Sequence, residues 1–146
     1  GATTSVLANG ATHPDETVSS GGITLDFAIT SGAVGLGYTS KMQTLRIEAG
    51  SSDGTSQGKP KRIHDVTLRF HETVGAEVGT DAANADRIFF RDSSMDMDTA
   101  VPLFTGDKEI EFPGGFEEGD RIYVQQAQPL PMTVLALYPR MNTHDV

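Results

Sequence analysis

The stretch VTLRFH, residues 66–71, alternates apolar and polar side chains one by one. Successive side chains of a β-strand point to opposite faces, so Val66, Leu68 and Phe70 would share one face. A strand with one dry and one wet face is typical of an antiparallel sheet. We therefore predict a strand of about ten residues here, in a central position of its sheet.

The two-residue period recurs along the chain, and no stretch keeps a helical spacing for more than about two turns. Only residues 81–86, DAANAD, favour a short helical turn. Residues 132–138 are apolar on both faces, which indicates the middle of a sheet with both sides covered, bounded by prolines. Residues 108–112 and 120–125 look like paired strands around a Pro-Gly-Gly turn. Other strands are predicted at residues 23–29, 45–47 and 87–91.

Glycine occurs 16 times and proline 7 times in 146 residues, which predicts many tight turns. Seven or eight short, mainly antiparallel strands would form a β-sandwich or a small β-barrel, so the fold class is all-β. Residues 1–20 are rich in Thr, Ser, Ala and Gly, and we predict an irregular N-terminal arm there. Residues 21–146 are predicted to be a single β domain.

Twenty acidic residues against 11 basic ones give a formal net charge of −9, and a surface of that sign repels phosphate. Nucleic-acid binding is therefore not expected. The basic cluster of Lys59, Lys61 and Arg62 is more typical of a solvated strand end. The absence of cysteine excludes disulfides and thiolate sites and suits a reducing cytoplasm. Neither a membrane-spanning run nor a signal-peptide pattern is visible, so we predict no membrane anchor.

The common nucleophile and phosphate-binding motifs do not occur in this sequence. His64 and His71 lie seven residues apart on or beside one strand, which points their side chains to opposite faces and disfavours shared metal ligation.

The segment RDSSMDMDTA, residues 91–100, offers Asp92, Asp96 and Asp98 as oxygen ligands for calcium. It lacks the glycine and terminal glutamate of a helix-loop-helix calcium loop. In the alternative interpretation Met95 and Met97 pack inward or against a neighbour while the aspartates face water.

Glu117, Glu118 and Asp120, together with Glu111, are candidates for the paired carboxylates of a glycosidase. Carboxylates cluster by chance in an acidic chain, and a solvated turn is the more typical interpretation. We therefore predict no catalytic residue, no metal ligand and no cofactor, and a protein that is not an enzyme.

Three segments resemble a known family: VGLGYTSKMQTLRIE at residues 34–48, GTSQGKPKRIHDVTLRFHETVGAEVG at residues 54–79 and QPLPMTVLALYPRMNTHD at residues 128–145. Their main features are the Gly-Tyr-Thr-Ser turn, the Gly-Lys-Pro-Lys-Arg-Ile approach, the Val-Gly pair and the Pro-Leu-Pro entry to the last strand. In these features the chain resembles the C-terminal part of bacteriophage tail nozzle proteins, also called tail tubular protein B or packaged-DNA stabilization proteins.

The resemblance implies a structural virion protein, a domain of the tail hub or nozzle of a short-tailed phage. It would belong to a homo-oligomeric ring that contacts other tail proteins and forms part of the channel retaining and ejecting DNA. DNA would pass through without specific binding. The expected location is the virion tail, after synthesis in the cytoplasm of the host bacterium.

Two other classes stay open. A receptor- or glycan-binding module carried on a tail would show an exposed aromatic patch or a groove, and a hydrolase would show carboxylates with perturbed pKa values converging in a pocket. A structural component would instead present an extended protein–protein interface. Met95, Met97 and Phe116 are the candidate interface residues.

Overall fold

A computed structural model of the chain describes residues 1–48, 55–56, 58–116 and 121–143. Within these residues there are ten strands and no helix, and therefore no helix able to span a membrane. The strands are β1 Thr3–Ala8, β2 Ala11–Thr17, β3 Gly32–Gly35, β4 Ser40–Gln43, β5 Lys61–Thr73, β6 Ala76–Gly79, β7 Ala85–Ile88, β8 Phe104–Glu111, β9 Tyr123–Gln126 and β10 Val134–Thr143. The predicted all-β fold is confirmed, with ten strands where seven or eight were expected.

All strand pairs are antiparallel and form three sheets, ordered β2-β1-β3, β10-β5-β8 and β4-β9-β6-β7. The second and third sheets share one apolar core, to which β5 contributes Leu68 and Phe70, β6 contributes Val78 and β9 contributes Val124. We call these two sheets the sandwich and the first sheet the N-terminal sheet.

Strand β5 lies between β10 and β8, so its predicted central position is confirmed. Val66, Leu68 and Phe70 are fully buried, because their face of the strand contacts the opposite sheet. On the wet face Arg69 donates hydrogen bonds of 2.7 and 2.8 Å to the Asp107 carboxylate of β8. The alternation at residues 66–71 therefore predicted both the strand and the side that it buries.

Strand β10 is an outer strand, so the prediction that residues 132–138 lie in the middle of a sheet is wrong. Leu135 and Tyr138 are exposed, and Pro139 lies within the strand rather than at its end. An outer strand accepts proline because one row of its N–H groups has no partner strand. A strand that is apolar on both faces needs a packing partner on each face to be fully buried. The described part of this chain packs against only one face of β10.

Residues 23–29 form no strand, contrary to prediction, and instead run across the N-terminal sheet. The Phe27 ring centroid lies 5.2 Å from that of His13, and the Asp26 N–H donates to His13 Nε2 at 3.3 Å. Ile29 packs against Gly32, where an added Cβ would lie 2.7 Å from its Cδ1. Alternation favours an extended backbone, but a strand also needs a free neighbouring edge, and here the segment packs side chains onto a sheet face.

The irregular arm predicted for residues 1–20 is also wrong, because β1 and β2 form a hairpin there. Asn9 and Gly10 make its two-residue turn, with φ of 51° and 81°. Asn-Gly is a preferred pair for this turn type, since both central residues need positive φ. Val6 and His13 face each other across the hairpin, and both are buried.

Two predicted strands lie at shifted positions. The strand expected at residues 45–47 is β4, which ends at Gln43, and Leu45 is exposed beyond it. The strand expected at residues 87–91 is β7, which ends at Ile88. In both cases the hydrogen-bonded partner strand, rather than the apolar residues, sets the limits of the strand.

Residues 81–86 do not form the predicted helical turn. The Asp81 carboxylate accepts hydrogen bonds from the N–H groups of Ala83 at 2.7 Å and Asn84 at 3.1 Å, which makes a tight bend leading into β7. An aspartate side chain that bonds its own backbone two residues on competes with a helical turn.

Strands β8 and β9 exist as predicted but are not paired with each other. Strand β8 pairs with β5, whereas β9 lies between β4 and β6 in the other sheet of the sandwich. These neighbours in sequence therefore lie in different sheets and face the shared core from opposite sides rather than pairing edge to edge.

Candidate interaction surface

A groove of about 550 Å³ lies where the N-terminal sheet faces the loop that follows β9. Ser5 and Leu7 of β1, with residues 33–38, form one wall, and residues 126–132 form the other. We call this feature the junction groove. It brings together the Gly-Tyr-Thr-Ser and Pro-Leu-Pro motifs, which are about 90 residues apart in sequence.

None of the residues lining the junction groove is charged, although charged residues make up 21% of the chain. The walls come from two long stretches, residues 27–40 and 122–139, that contain no Asp, Glu, Lys, Arg or His. Such a groove can bind an apolar, uncharged partner, whereas it offers no charge to a polar substrate. This site was not predicted from the sequence. The two uncharged stretches are a sequence signal for apolar surface, but they do not indicate that the two walls meet.

Residues 32–45, which we call the apolar ribbon, run from β3 to β4 with nearly every side chain exposed. Leu36 is 73% exposed, Tyr38 82% and Leu45 86%. The backbone is held close to β1 by Gly37, where an added Cβ would lie 2.6 Å from Ser5 Oγ. Monomers rarely leave several large apolar side chains uncovered in one segment, so this surface is typical of an interaction site.

The three candidate interface residues lie away from the junction groove. Met97 and Phe116 are exposed and Met95 is half-buried. Arg91 shapes the Met95 loop by donating hydrogen bonds to the carbonyls of Asp96 and Thr99. The exposure of Met97 and Phe116 suits an interface, and their role in one stays a prediction.

Asp92, Asp96 and Asp98 do not converge as calcium ligands. Among the described residues, their carboxylates form no group within ligand distance of one another. The Asp92 carboxylate instead accepts hydrogen bonds from the N–H and hydroxyl of Ser94, at 2.8 and 2.5 Å, and these bonds lower its pKa. The Asp92 carboxylate therefore stabilises a local turn.

One His-carboxylate set was not predicted from the sequence. Glu16 Oε1 lies 3.7 Å from His13 Nδ1, and Asp26 Oδ2 lies 3.9 Å from His13 Nε2. Nδ1 also donates to the Pro14 carbonyl at 2.9 Å, while Nε2 accepts the Asp26 N–H. One potential ligand atom from each of the three residues lies within 4.8 Å of the others, although both His13 ring nitrogens already have a backbone hydrogen-bond partner.

His64 and His71 are not brought together. His71 is exposed, whereas His64 Nε2 is buried and has no hydrogen-bond partner in the part of the chain that the structure describes. The basic cluster also differs from prediction, because Lys61 is buried and its Nζ donates to the Ile47 carbonyl at 3.0 Å. Lys61 therefore holds residues 44–48 in place through this hydrogen bond and is not a solvent-exposed cation.

The acidic cluster Glu117, Glu118 and Asp120 lies outside the described residues, so its arrangement stays a prediction. Among the described acids, the pKa values of Asp81, Asp92 and Asp107 are lowered. The causes are hydrogen bonds from Asn84, Ser94 and Arg69 respectively. A lowered pKa keeps each of these carboxylates ionised near neutral pH, which is the wrong state for a general acid.

No protein-family model matches the chain, and no curated protein matches it.

Proposed function

We propose that this chain is a structural, non-enzymatic domain of the tail hub or nozzle of a short-tailed phage. In the virion it would form part of the channel that retains and ejects DNA. The observation that supports this best is the apolar ribbon, in which Leu36, Tyr38 and Leu45 are 73%, 82% and 86% exposed. Several large apolar side chains uncovered in one segment are typical of a surface that assembly would cover.

The number of exposed apolar side chains suits an assembly. Twelve large apolar side chains are exposed among the described residues. Each subunit of a ring touches two neighbours, so a ring is an assembly that covers such side chains. Identical subunits and other tail proteins are thus the proposed partners.

The charge distribution supports passage of DNA without binding. The net charge is −9, and two of the arginines are already paired with carboxylates. Arg69 is bonded to Asp107, and Arg140 lies 3.3 Å from Asp65 and 3.5 Å from Glu109. A channel wall of this kind repels phosphate and lets a duplex slide.

The test is solution mass by light scattering from about 1 µM to 1 mM chain, followed by negative-stain imaging of any large species. We expect a discrete oligomer that appears as rings. A chain that stays strictly monomeric throughout this range contradicts the proposal, as does salt-sensitive binding of a DNA duplex in fluorescence anisotropy.

A receptor- or glycan-binding module is the second candidate. The observation that favours it is Tyr38, an exposed aromatic ring at the junction groove, since sugar-binding sites use such rings as platforms. Glycan-array binding that is lost in Tyr38→Ala and kept in Phe89→Ala would favour this candidate. Phe89 is the matched control because it is equally exposed and lies outside the groove.

A further inference from the structure

We propose that the junction groove and the free edge of β3 together form a self-association surface that binds a second copy of this chain. The inference rests on the proposed function, because it names one contact through which the structural component would assemble.

The backbone of β3 offers hydrogen-bonding groups that no described residue pairs. Within the described residues, strand β3, Gly32–Gly35, is an outer strand that pairs only with β1. The Asn9 N–H donates to the Ser31 carbonyl at 2.8 Å, and bonded and non-bonded pairs alternate along an antiparallel ladder. Ala33 therefore bonds to β1, whereas the N–H and C=O of Val34 point to the free edge. Such an edge is a template for strand addition.

Strand β3 also lacks the features that normally protect an outer strand. It contains no charged residue and no proline, and its pairing with β1 has no bulge. Because β3 is short, strand addition alone gives few hydrogen bonds, and the apolar groove beside it must supply the remaining contact. The other outer strands do carry protective residues: Pro14 in β2, Lys41 in β4, Asp86 in β7, Asp107 in β8 and Pro139 in β10.

The charge of the chain indicates what the surface binds. Two copies with a net charge of −9 each repel one another, and this cost is smallest where neither copy carries charge. Residues 27–40 are uncharged and supply Val34, Leu36 and Tyr38, which are exposed at the groove. A second copy therefore brings the uncharged, apolar surface that this groove requires.

The exposed side chains at the groove supply the driving force for association. Leu36 is 73% exposed and Tyr38 82%, and burial of their apolar surface against a second copy is favourable.

Two variants test the surface by sedimentation velocity, alongside a matched control. Val34→Lys places a charge at the β3 edge. Val34→Pro removes the N–H that faces the free edge and leaves the bonds to β1 in place. Leu135→Lys is the control, because Leu135 is 60% exposed against 52% for Val34 and lies on β10 of the sandwich, outside the groove.

We expect both Val34 variants to weaken self-association at least about tenfold, while Leu135→Lys changes it less than about twofold and all keep the wild-type circular dichroism. Self-association that persists unchanged in both Val34 variants overturns this inference and leaves the proposed function standing. A wild-type chain that is monomeric throughout overturns both. If the monomeric chain binds an uncharged, apolar peptide at β3, the groove is a binding site for a strand of another protein. The self-association proposal is then overturned.

Discussion

The sandwich and the N-terminal sheet are built from the same alternating pattern, yet they leave different amounts of it uncovered. In the sandwich two sheets face each other, so Leu68, Phe70 and Val124 are completely buried. The N-terminal sheet buries Val6 beneath an irregular segment on one face, and its other face opens on the junction groove. Burial of a sheet face therefore depends on the element that packs against it. The alternating pattern only places apolar side chains on that face.

The largest expected effect is in the core of the sandwich. Phe70 is fully buried and its ring centroid lies 5.4 Å from that of Phe90. Phe70→Ala should lower the free energy of unfolding by about 3–5 kcal/mol, because it removes buried area and leaves a cavity. Urea denaturation followed by circular dichroism measures this change.

Phe89→Ala is the control for that prediction, since Phe89 precedes Phe90 in the sequence but is 77% exposed. Its change in the free energy of unfolding should stay within about 0.5 kcal/mol. If the two variants lose similar amounts of free energy of unfolding, internal burial is not what stabilises the sandwich. The contrast with the N-terminal sheet would then fail.

An intermediate effect is expected in the N-terminal sheet. Gly10→Ala forces a side chain into the left-handed region, where φ is 81°, and should cost about 1 kcal/mol. Faster amide hydrogen exchange in β1 and β2 would measure it. Gly35→Ala is the control, because nothing lies within 4 Å of the added Cβ and the backbone there is not left-handed. An equal acceleration in β5 would show that the two regions unfold as one unit.

The smallest effect is expected on the wet face of the sandwich. The hydrogen bond from Arg69 lowers the pKa of Asp107 below its usual value of 3.8. The unfolded chain therefore binds the proton first as the pH falls, so the stabilisation is full above about pH 4 and is lost as the pH falls through the folded pKa.

Urea midpoints of the wild type and Asp107→Asn should therefore differ slightly at pH 7 and converge near pH 2. The pair is exposed, so 1 M salt should also reduce the difference. A difference that grows on acidification would mean that the carboxylate is not stabilised in its ionised form by Arg69.

Local signals in the sequence were sufficient for part of the fold. Alternation at residues 66–71 predicted β5 and its buried face, and the abundance of glycine and proline predicted the many turns. The Asn9-Gly10 pair is an equally local hairpin signal, but the polar, small-residue composition of residues 1–20 favours an irregular arm. The uncharged lining of the junction groove was likewise present in the sequence, without any indication that its two walls meet.

By itself, then, the sequence determined the all-β class, the strand character of β5, the turns and the net charge, because each depends on neighbouring residues or on composition alone. Only the tertiary structure decided that residues 23–29 pair with no strand, that β8 and β9 lie in different sheets, and that β10 is an outer strand. The physical reason is that a side-chain pattern records which faces can be buried. Pairing instead depends on which distant backbone edges meet, and nearly identical patterns are compatible with many such arrangements.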